Sequence, residues 1–301
     1  METVGAETTC YRHPKRETFV QCSRCERYIC SDCMREAPVG QRCPECVKGE
    51  NRTVRQARTI FGGRPSVVPW VTYSIIAINI LAYVVELVHP AVIGRFDSLG
   101  TGLLGPDGAY YVDNGLAQAD PSYVPAGVLH GEWWRLITSA FLHQQPGANG
   151  LGLTHIVFNL IWIWILGRFL EAQLGRVRYL AVYLLAAVGG SVLGVLVDPG
   201  QPAIGASGAG FGLAAAYFVL TRKLHEFPLD RRQVLITFVL WMVLAAGFTS
   251  WEGHLGGLLA GGAAAAGIAY APRRHREIVQ VVVLGGIAVL LIVAVLAKAY
   301  A

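Results

Sequence analysis

The chain has 301 residues, of which 53% are hydrophobic and only 15% are charged, and its formal net charge is +5. Soluble globular domains carry about 25% charged residues, so this composition excludes an ordinary soluble protein and indicates a polytopic membrane protein. The basic residues cluster between apolar runs, as in membrane loops, so the positive charge does not indicate nucleic-acid binding.

The first 46 residues contain all seven cysteines. With one histidine they form four pairs at metal-ligand spacing: Cys10 and His13, Cys22 and Cys25, Cys30 and Cys33, Cys43 and Cys46. Eight ligands suffice for two closed tetrahedral Zn²⁺ sites, which are structural rather than catalytic. The odd cysteine count and the histidine argue against the alternative, a disulfide framework. We predict a two-zinc domain over residues 1–48 that folds by metal ligation.

The division of these four pairs between two metal ions stays open in the sequence. Alternate pairs give one set of Cys10, His13, Cys30 and Cys33 and another of Cys22, Cys25, Cys43 and Cys46; consecutive pairing is the alternative. The alternate arrangement resembles a B-box type zinc finger, and the resemblance covers about residues 8–48. Such modules commonly bind proteins, so one expectation is a cytoplasmic protein partner. The other is a cap that only folds and tethers.

The polar and basic segment 49–65 is predicted to be a linker lying against anionic lipid. Apolar stretches suited to a hydrocarbon core of about 30 Å follow near 66–88, 150–170, 177–197, 205–221, 233–249, 253–271 and 278–297. The fourth and fifth are short, so six or eight spans are alternatives to seven. The predicted fold is therefore all-α, a bundle of about seven transmembrane helices preceded by a small zinc-binding domain.

Charges between the spans predict the orientation of the chain. The polar start is not typical of a cleavable signal peptide, so we expect a cytoplasmic amino terminus. Arginines concentrate before span one and after spans two, four and six, whereas the loop 89–133 has one cation, Arg95, against five acidic residues. The positive-inside rule makes that loop external. Abundant Ala, Gly and Val with few lysines suggest a GC-rich bacterial genome and hence a multi-pass protein of a bacterial plasma membrane.

Two of the spans each carry a polar residue that a lipid-facing helix would exclude. Ser207 lies in a glycine-rich segment at the start of span four, and His254 lies just inside span six. By the crossing count both spans begin on the external side, so the two residues fall at a similar shallow depth. A serine and an imidazole at one depth, in segments whose glycines permit close helix approach, predict a nucleophile and its base.

Span two begins on the same side and carries His155 and Asn159, whose i, i+4 spacing places both side chains on one helical face. Taken in order, the motifs of this chain resemble a rhomboid intramembrane serine protease. The matching residues are Asn79, Trp134-Arg135, His155-x-x-x-Asn159, Gly205-x-Ser207-Gly208 and His254-x-x-Gly257-x-x-x-Gly261. The match covers about residues 66–272, and the further span in 273–301 resembles the extra helix of the six-plus-one subtype.

The resemblance implies a Ser-His dyad without a carboxylate, in which Ser207 attacks the scissile carbonyl and His254 transfers the proton. We expect no acid nearby, since the apolar interiors of the spans lack Asp and Glu. The resemblance also implies that His155, Asn159 and the Ser207 backbone N–H stabilise the oxyanion.

Further roles follow from the same resemblance. Gly205 and Phe211 are implied to stabilise the site, with the Phe211 ring packed against the catalytic imidazole. Trp134 and Arg135 are implied to stabilise the external loop. Gly257 and Gly261 would let span six lie close against span four.

Three features depart from the family pattern. Phe211 stands where an aromatic residue with a hydroxyl is common, and Gly253 precedes the histidine where alanine is usual. The stretch from Gln144 to Thr154 is longer than in compact members, so the loop at the mouth is expected to differ in shape.

The sequence thus predicts an intramembrane serine endopeptidase that cleaves single-span transmembrane proteins near the external membrane face, with no catalytic cofactor. Two alternatives are a rhomboid-like pseudoprotease that binds clients without cleavage and a zinc-dependent membrane adaptor. The presence of both Ser207 and His254 argues against the first, and seven spans exceed what an anchor needs. The expected domains are 1–48 (zinc domain), 49–65 (linker), 66–272 (protease core) and 273–301 (seventh helix).

Overall fold

A computed structural model describes residues 8–53, 57–112, 120–147, 152–244, 246–247 and 249–301. The chain divides into two compact units, Met1–Ala57 and Arg58–Ala301. We call them the amino-terminal module and the helical bundle, and each is described by itself.

The amino-terminal module is built from very short elements. Strands β1 (Thr9–Cys10) and β2 (His13–Glu17) pair antiparallel, as do β3 (Arg35–Glu36) and β4 (Gln41–Arg42), and helix α1 (Pro44–Thr53) follows. A 3-10 turn at Ser31–Cys33 lies between the two hairpins. The buried core consists of five cysteines and Ile29. Domains of this size that bury so little aliphatic surface usually have other stabilising bonds, such as disulfides or metal ligation.

The helical bundle begins with α2 (Trp70–Val88). The following loop contains α3 (Val92–Phe96), strands β5 (Gly102–Leu104), β6 (Tyr110–Tyr111) and β7 (Val124–Ala126), a 3-10 turn (Val128–His130), α4 (Arg135–Thr138) and a second 3-10 turn (Ser139–Phe141). The strands form an antiparallel sheet of order β6-β5-β7. Then come α5 (Gly152–Leu174), α6 (Arg176–Val197), α7 (Ser207–Thr221), α8 (Arg231–Leu244), α9 (Trp251–Ala269), a 3-10 turn (Arg273–His275) and α10 (Arg276–Ala299).

The seven predicted spans correspond to α2 and α5 to α10, with ends that differ by a few residues, and the protein is a multi-pass membrane protein. By length and composition, four helical segments of the described chain can cross a membrane: Trp70–Val88, Gly152–Leu174, Arg176–Val197 and Arg273–Ala299. Helix α7 is apolar but only 15 residues long. Helix α9 has 19 residues, but its polar first turn and many glycines lower its hydropathy. Helices α7 and α9, which carry Ser207 and His254, are therefore not among these four.

Glycines set the spacing of the central helices. A Cβ on Gly257 would overlap the Gly208 carbonyl, and one on Gly261 would meet the backbone of Gly212, so α9 lies directly against α7. Gly189 and Gly256 make a similar backbone contact between α6 and α9. Helices α5, α7 and α9 all begin at one end of the bundle, as expected from alternating crossings.

The structure differs from the expectation of a linker that lies on lipid up to residue 65. From Arg58 onward the chain belongs to the helical bundle, and the Phe61 side chain is buried in its core. The Gln280 side chain donates to the Phe61 carbonyl at 3.0 Å. Gly63 packs against the Leu174 carbonyl so closely that no Cβ would fit there, which only glycine permits. Residues 54–56 of the predicted linker lie outside the described residues.

Candidate active site

Ser207 is the first residue of α7, directly after a bend at Gly205. Gly205 has φ +128°, a conformation that suits glycine, and its N–H donates to the Ser139 carbonyl at 2.9 Å. The bend turns the chain into the helix so that the serine stands at the amino-terminal end. Backbone N–H groups at such an end are free of intrahelical partners and attract negative charge.

His254 lies within hydrogen-bond distance of Ser207. Its Nε2 is 2.9 Å from Ser207 Oγ, and the His254 side chain is buried. The first turn of α9 is fixed by Ser250, whose hydroxyl accepts from Gly253 N at 3.0 Å. A Cβ on Gly208 would lie 3.0 Å from the Gly253 carbonyl, so the two backbones are close enough for the side chains to meet. The structure thus brings the predicted nucleophile and base together.

Phe211 packs against the His254 ring. The two rings are stacked with centroids 4.2 Å apart and planes 13° from parallel, and Phe238 of α8 and Phe211 meet edge-on. His254 Nδ1 has no hydrogen-bond partner within the described residues. Among the described residues, the imidazole thus has a stacked ring beside it and no carboxylate bonded to Nδ1.

His155 lies on the other side of the serine. A Cβ on Gly205 would be 2.8 Å from His155 Cε1, 2.9 Å from its Nε2 and 3.5 Å from Ser207 Oγ. The Gln144 N–H donates to His155 Nδ1 at 3.2 Å, so a neutral His155 carries its hydrogen on Nε2, the ring nitrogen near Gly205. This ring can donate a hydrogen bond beside the nucleophile.

Asn159 lines the same space but is bonded differently. Its Nδ2 donates to the His155 carbonyl of its own helix at 2.8 Å. The amide carries a second hydrogen that this bond does not use, and its expected donation to an oxyanion stays a prediction. The long Gln144 to Thr154 stretch includes residues 148–151, which lie outside the described residues.

A cavity of about 980 Å³ joins these groups. Ser207, His254, His155 and Asn159 all line it, and aromatic side chains of α5 and α8 form an apolar wall. The volume matches that of a site that encloses a substrate segment. The polar groups converge on one point of a mainly apolar cavity, as in an active site.

Arg135 organises the loop between α2 and α5. The fully buried guanidinium donates to Asp97 Oδ1 at 2.7 Å, to Glu132 Oε2 at 2.7 Å and to the Gly94 carbonyl at 2.8 Å. It also lies 4.5 Å from the Tyr110 ring centroid, so the sheet is tied to the same residue. Trp134 is half exposed, and its Nε1 donates to the Arg95 carbonyl at 3.4 Å. Sequence reasoning named Arg135 but none of its partners.

Two carboxylates are buried near the ends of the spans, outside the apolar interiors in which none was expected. Glu86 near the end of α2 and Glu171 near the end of α5 are both fully buried. Glu86 Oε2 accepts from the His143 N–H at 3.0 Å, and Glu171 accepts from the N–H groups of Val71 and Thr72 at 3.1 and 2.8 Å. Neither bonds to His254. Both lie at the ends of apolar runs, so no local pattern indicated that they are buried.

The amino-terminal module gathers its eight predicted ligands into two clusters. The structure groups alternate pairs, Cys10, His13, Cys30 and Cys33 in one cluster and Cys22, Cys25, Cys43 and Cys46 in the other, with the ligand atoms of each within 4.8 Å of one another. Cys25 Sγ and Cys43 Sγ are 3.8 Å apart. The edge of a tetrahedron with Zn–S bonds of about 2.3 Å is also roughly 3.8 Å. Each cluster could therefore hold a metal ion.

Thiol ionisation also fits a bound cation. Burial raises the pKa of the Cys10 and Cys22 thiols, but backbone hydrogen bonds to each sulfur outweigh it and bring both pKa values to about 6. Burial and neighbouring thiols raise the pKa of Cys33 to about 11, and the Cys43 thiol together with burial raises that of Cys46 to about 12. Several thiolates so close together repel one another unless a divalent cation compensates their charge.

Comparisons with known proteins identify the family that this chain is similar to. A family model described as "Rhomboid domain" matches residues 130–271. The chain is 32% identical over 168 residues to Rhomboid protease GluP of Bacillus subtilis (strain 168), covering 54% of this chain and 32% of GluP. It is 34% identical over 140 residues to Putative rhomboid protease YdcA of the same organism, covering 45% of this chain and 67% of YdcA.

A third relative is Rhomboid-like protease 3 of Toxoplasma gondii, which is 36% identical over 150 residues, covering 46% of this chain and 53% of that protein. The chain thus spans about a third of GluP and about half of the Toxoplasma protein. The family match begins at residue 130 and ends at 271, so it contains Ser207, His254, His155 and Asn159.

Proposed function

Because the chain belongs to the rhomboid family, we propose that it is an intramembrane serine endopeptidase with a catalytic dyad of Ser207 and His254. The observation that carries the proposal is the 2.9 Å contact between Ser207 Oγ and His254 Nε2 on the wall of the cavity. The family assignment and the apolar surroundings of the dyad support chemistry on a peptide bond within the bilayer.

The dyad accounts for both halves of the reaction. Ser207 Oγ attacks the scissile carbonyl carbon while His254 Nε2 takes the hydroxyl proton, which gives a tetrahedral oxyanion and an imidazolium. Collapse of this intermediate breaks the C–N bond, and His254 returns the proton to the leaving amine. Water then attacks the Ser207 ester with His254 again as base, which releases the acid and restores the serine.

The oxyanion would lie between α7 and α5. The Ser207 backbone N–H at the start of α7 and the Nε2–H of His155 are the proposed donors, and Asn159 would join them through the second hydrogen of its amide. Gly205 keeps this space open, since any side chain there would collide with the His155 ring.

The proposed substrates are single-span transmembrane proteins that can unwind locally, because an intact helix engages its own carbonyls and keeps them from a nucleophile. Cleavage would occur near the external face of a plasma membrane, with the amino-terminal module in the cytoplasm. This orientation rests on the arginine distribution between the spans.

For the amino-terminal module we propose two structural Zn²⁺ sites. Cys10, His13, Cys30 and Cys33 would hold one ion, and Cys22, Cys25, Cys43 and Cys46 the other, with no ligand position left for water. The metal would supply folding free energy and no step of proteolysis. A cytoplasmic protein is the proposed partner of the folded module.

The test uses full-length protein in liposomes with a panel of single-span membrane proteins. We compare wild type, Ser207→Ala, His254→Ala and the control Ser66→Ala, which removes a hydroxyl elsewhere in the bundle. We expect at least about a thousand-fold loss of cleavage and no fluorophosphonate labelling in Ser207→Ala, with the control unaffected. Persistent activity in Ser207→Ala would assign the nucleophile elsewhere. A folded wild type that neither cleaves nor reacts would be a pseudoprotease.

A further inference from the structure

We propose that Glu86 is a positioning residue for His155, because it holds the segment whose backbone fixes the tautomer of that ring. The inference rests on the proposed function, in which His155 donates to the oxyanion. Glu86 itself lies in α2 and does not touch the dyad.

Two contacts fasten the segment 143–145 to the end of α2. Glu86 Oε2 accepts a hydrogen bond from the His143 N–H at 3.0 Å, and the Gln145 side-chain amide donates to the Glu86 carbonyl at 2.6 Å. The Glu86 side chain has 0% exposure, so its carboxylate cannot exchange this amide for bulk water. A buried acceptor of this kind is expensive to leave unpaired, which makes the contact durable.

The next peptide group of the same segment contacts His155. The Gln144 N–H, one residue after the amide that Glu86 holds, donates to His155 Nδ1 at 3.2 Å. The His143 ring lies 5.2 Å from the His155 ring, and Tyr83 packs edge-on against His143. Consecutive amides therefore point to Glu86 and to His155, so fixing the first orients the second.

The bond to Nδ1 decides what His155 can do. An imidazole whose Nδ1 accepts must carry its single hydrogen on Nε2, and Nε2 lies 2.9 Å from the position of a Cβ on Gly205, which is itself 3.5 Å from Ser207 Oγ. In the other tautomer Nε2 would be a lone-pair acceptor and would repel an oxyanion. Glu86 thus selects the donor form through the backbone of His143 and Gln144.

The chain offers a matched control for this inference. Glu171 is the second fully buried carboxylate of the bundle, and it also accepts backbone N–H groups, those of Val71 and Thr72. Removal of either carboxylate leaves buried amides unpaired and destabilises the protein. Only Glu86 connects to His155.

The first experiment is ¹⁵N solid-state NMR of histidine-labelled full-length protein in liposomes, with the His155 signals assigned by their loss in His155→Gln. In wild type we expect a single His155 tautomer, with Nδ1 unprotonated and Nε2 protonated. We expect the same tautomer in Glu86→Gln, because glutamine retains an acceptor oxygen. In Glu86→Ala we expect a mixture of both His155 tautomers. In Glu171→Ala we expect the single tautomer of the wild type. If Glu86→Ala fails to fold, Glu86→Met supplies similar volume without an acceptor.

The second readout is cleavage by the same variants. We expect kcat of Glu86→Ala to fall about 10- to 100-fold with KM unchanged, less than for loss of an oxyanion donor, and Glu86→Gln to restore it. Glu171→Ala should lower the unfolding temperature without this fall in kcat. If Glu86→Ala keeps a single His155 tautomer and the wild-type kcat while Ser207→Ala is inactive, the positioning role of Glu86 is overturned and the proposed function stands. A tautomer change in a protein that never cleaves would overturn the proposed function and leave the positioning role.

Discussion

The amino-terminal module and the helical bundle differ in how their backbone segments are held close together. The module has few apolar side chains, and its core consists of cysteine sulfurs and Ile29. The bundle has an excess of apolar side chains, yet its central helices meet through glycine backbones. In the module the side chains hold the backbone together, whereas in the bundle the absence of side chains lets the helices approach.

This contrast follows from the surroundings of each unit. A small domain in water buries little apolar surface on folding, and metal ligation is one way to supply the missing free energy. Inside lipid the apolar surface of a helix is already satisfied, and close packing with hydrogen bonding has to supply the specificity. The two units should therefore respond to different perturbations.

Metal removal is expected to have the largest effect, confined to the module. Chelation of the full-length protein should abolish hydrogen-exchange protection across residues 8–48, because the apparent ligation free energy of a structural Zn²⁺ is about 10–16 kcal/mol. Protection of α6, α7 and α9 and cleavage by the dyad should remain. The measurement is exchange mass spectrometry before and after chelation, with metal content determined in parallel.

Single-ligand variants sharpen this test. Cys22→Ser and Cys10→Ser should each lose one of two metal ions, because their sulfurs lie in different clusters. If the module keeps its hydrogen-exchange protection without metal, or if the bundle loses protection together with the module, the two units do not depend on separate interactions.

An added methyl group should have the next largest effect, confined to the bundle. In Gly257→Ala the Cβ would overlap the Gly208 carbonyl, and the forced separation of α7 and α9 is expected to cost about 1–3 kcal/mol and to reduce cleavage. The control Gly285→Ala adds the same group to α10, where it meets open space, and should cause no loss. Equal unfolding temperatures for the two variants in detergent would refute glycine-set spacing.

The stacked ring beside the dyad should have the smallest effect. Phe211→Leu keeps an apolar side chain but removes the stack on His254, so we expect a loss of about 1 kcal/mol, or roughly a five-fold fall in kcat. Phe211→Tyr retains the ring and should stay near wild type. A wild-type kcat for Phe211→Leu would mean that α9 alone orients the imidazole.

The sequence allowed prediction of the features that break a local pattern. Ser207 and His254 stood out because single polar residues inside long apolar runs have no explanation in lipid contact. The helix order and the spans followed from hydropathy alone, and the cysteine spacing predicted eight ligands. These signals are local, because each depends on residues that are near one another in the sequence.

What escaped prediction depends on contacts between distant residues. Glu86 and Glu171 lie near the ends of apolar runs, where a charge is typical of the membrane boundary, so nothing local indicated their burial. The partners of Arg135 lie up to 41 residues away. Strands β5 to β7 contain two or three residues each, too few for alternation to be visible. The alternate grouping of ligand pairs likewise required the folded module.

Arg135 has a consequence for how the loop between α2 and α5 is held. Its bond to the Gly94 carbonyl joins residues 41 positions apart, so this one side chain acts as a noncovalent staple on a long segment. Closing a flexible loop of that length costs roughly 3 kcal/mol of chain entropy beyond a constant. Once that cost is met, the small sheet within the loop needs to order only its own short strands. Arg135 takes no part in the proposed chemistry. It ties the loop in place through noncovalent bonds, as a disulfide does covalently in other proteins.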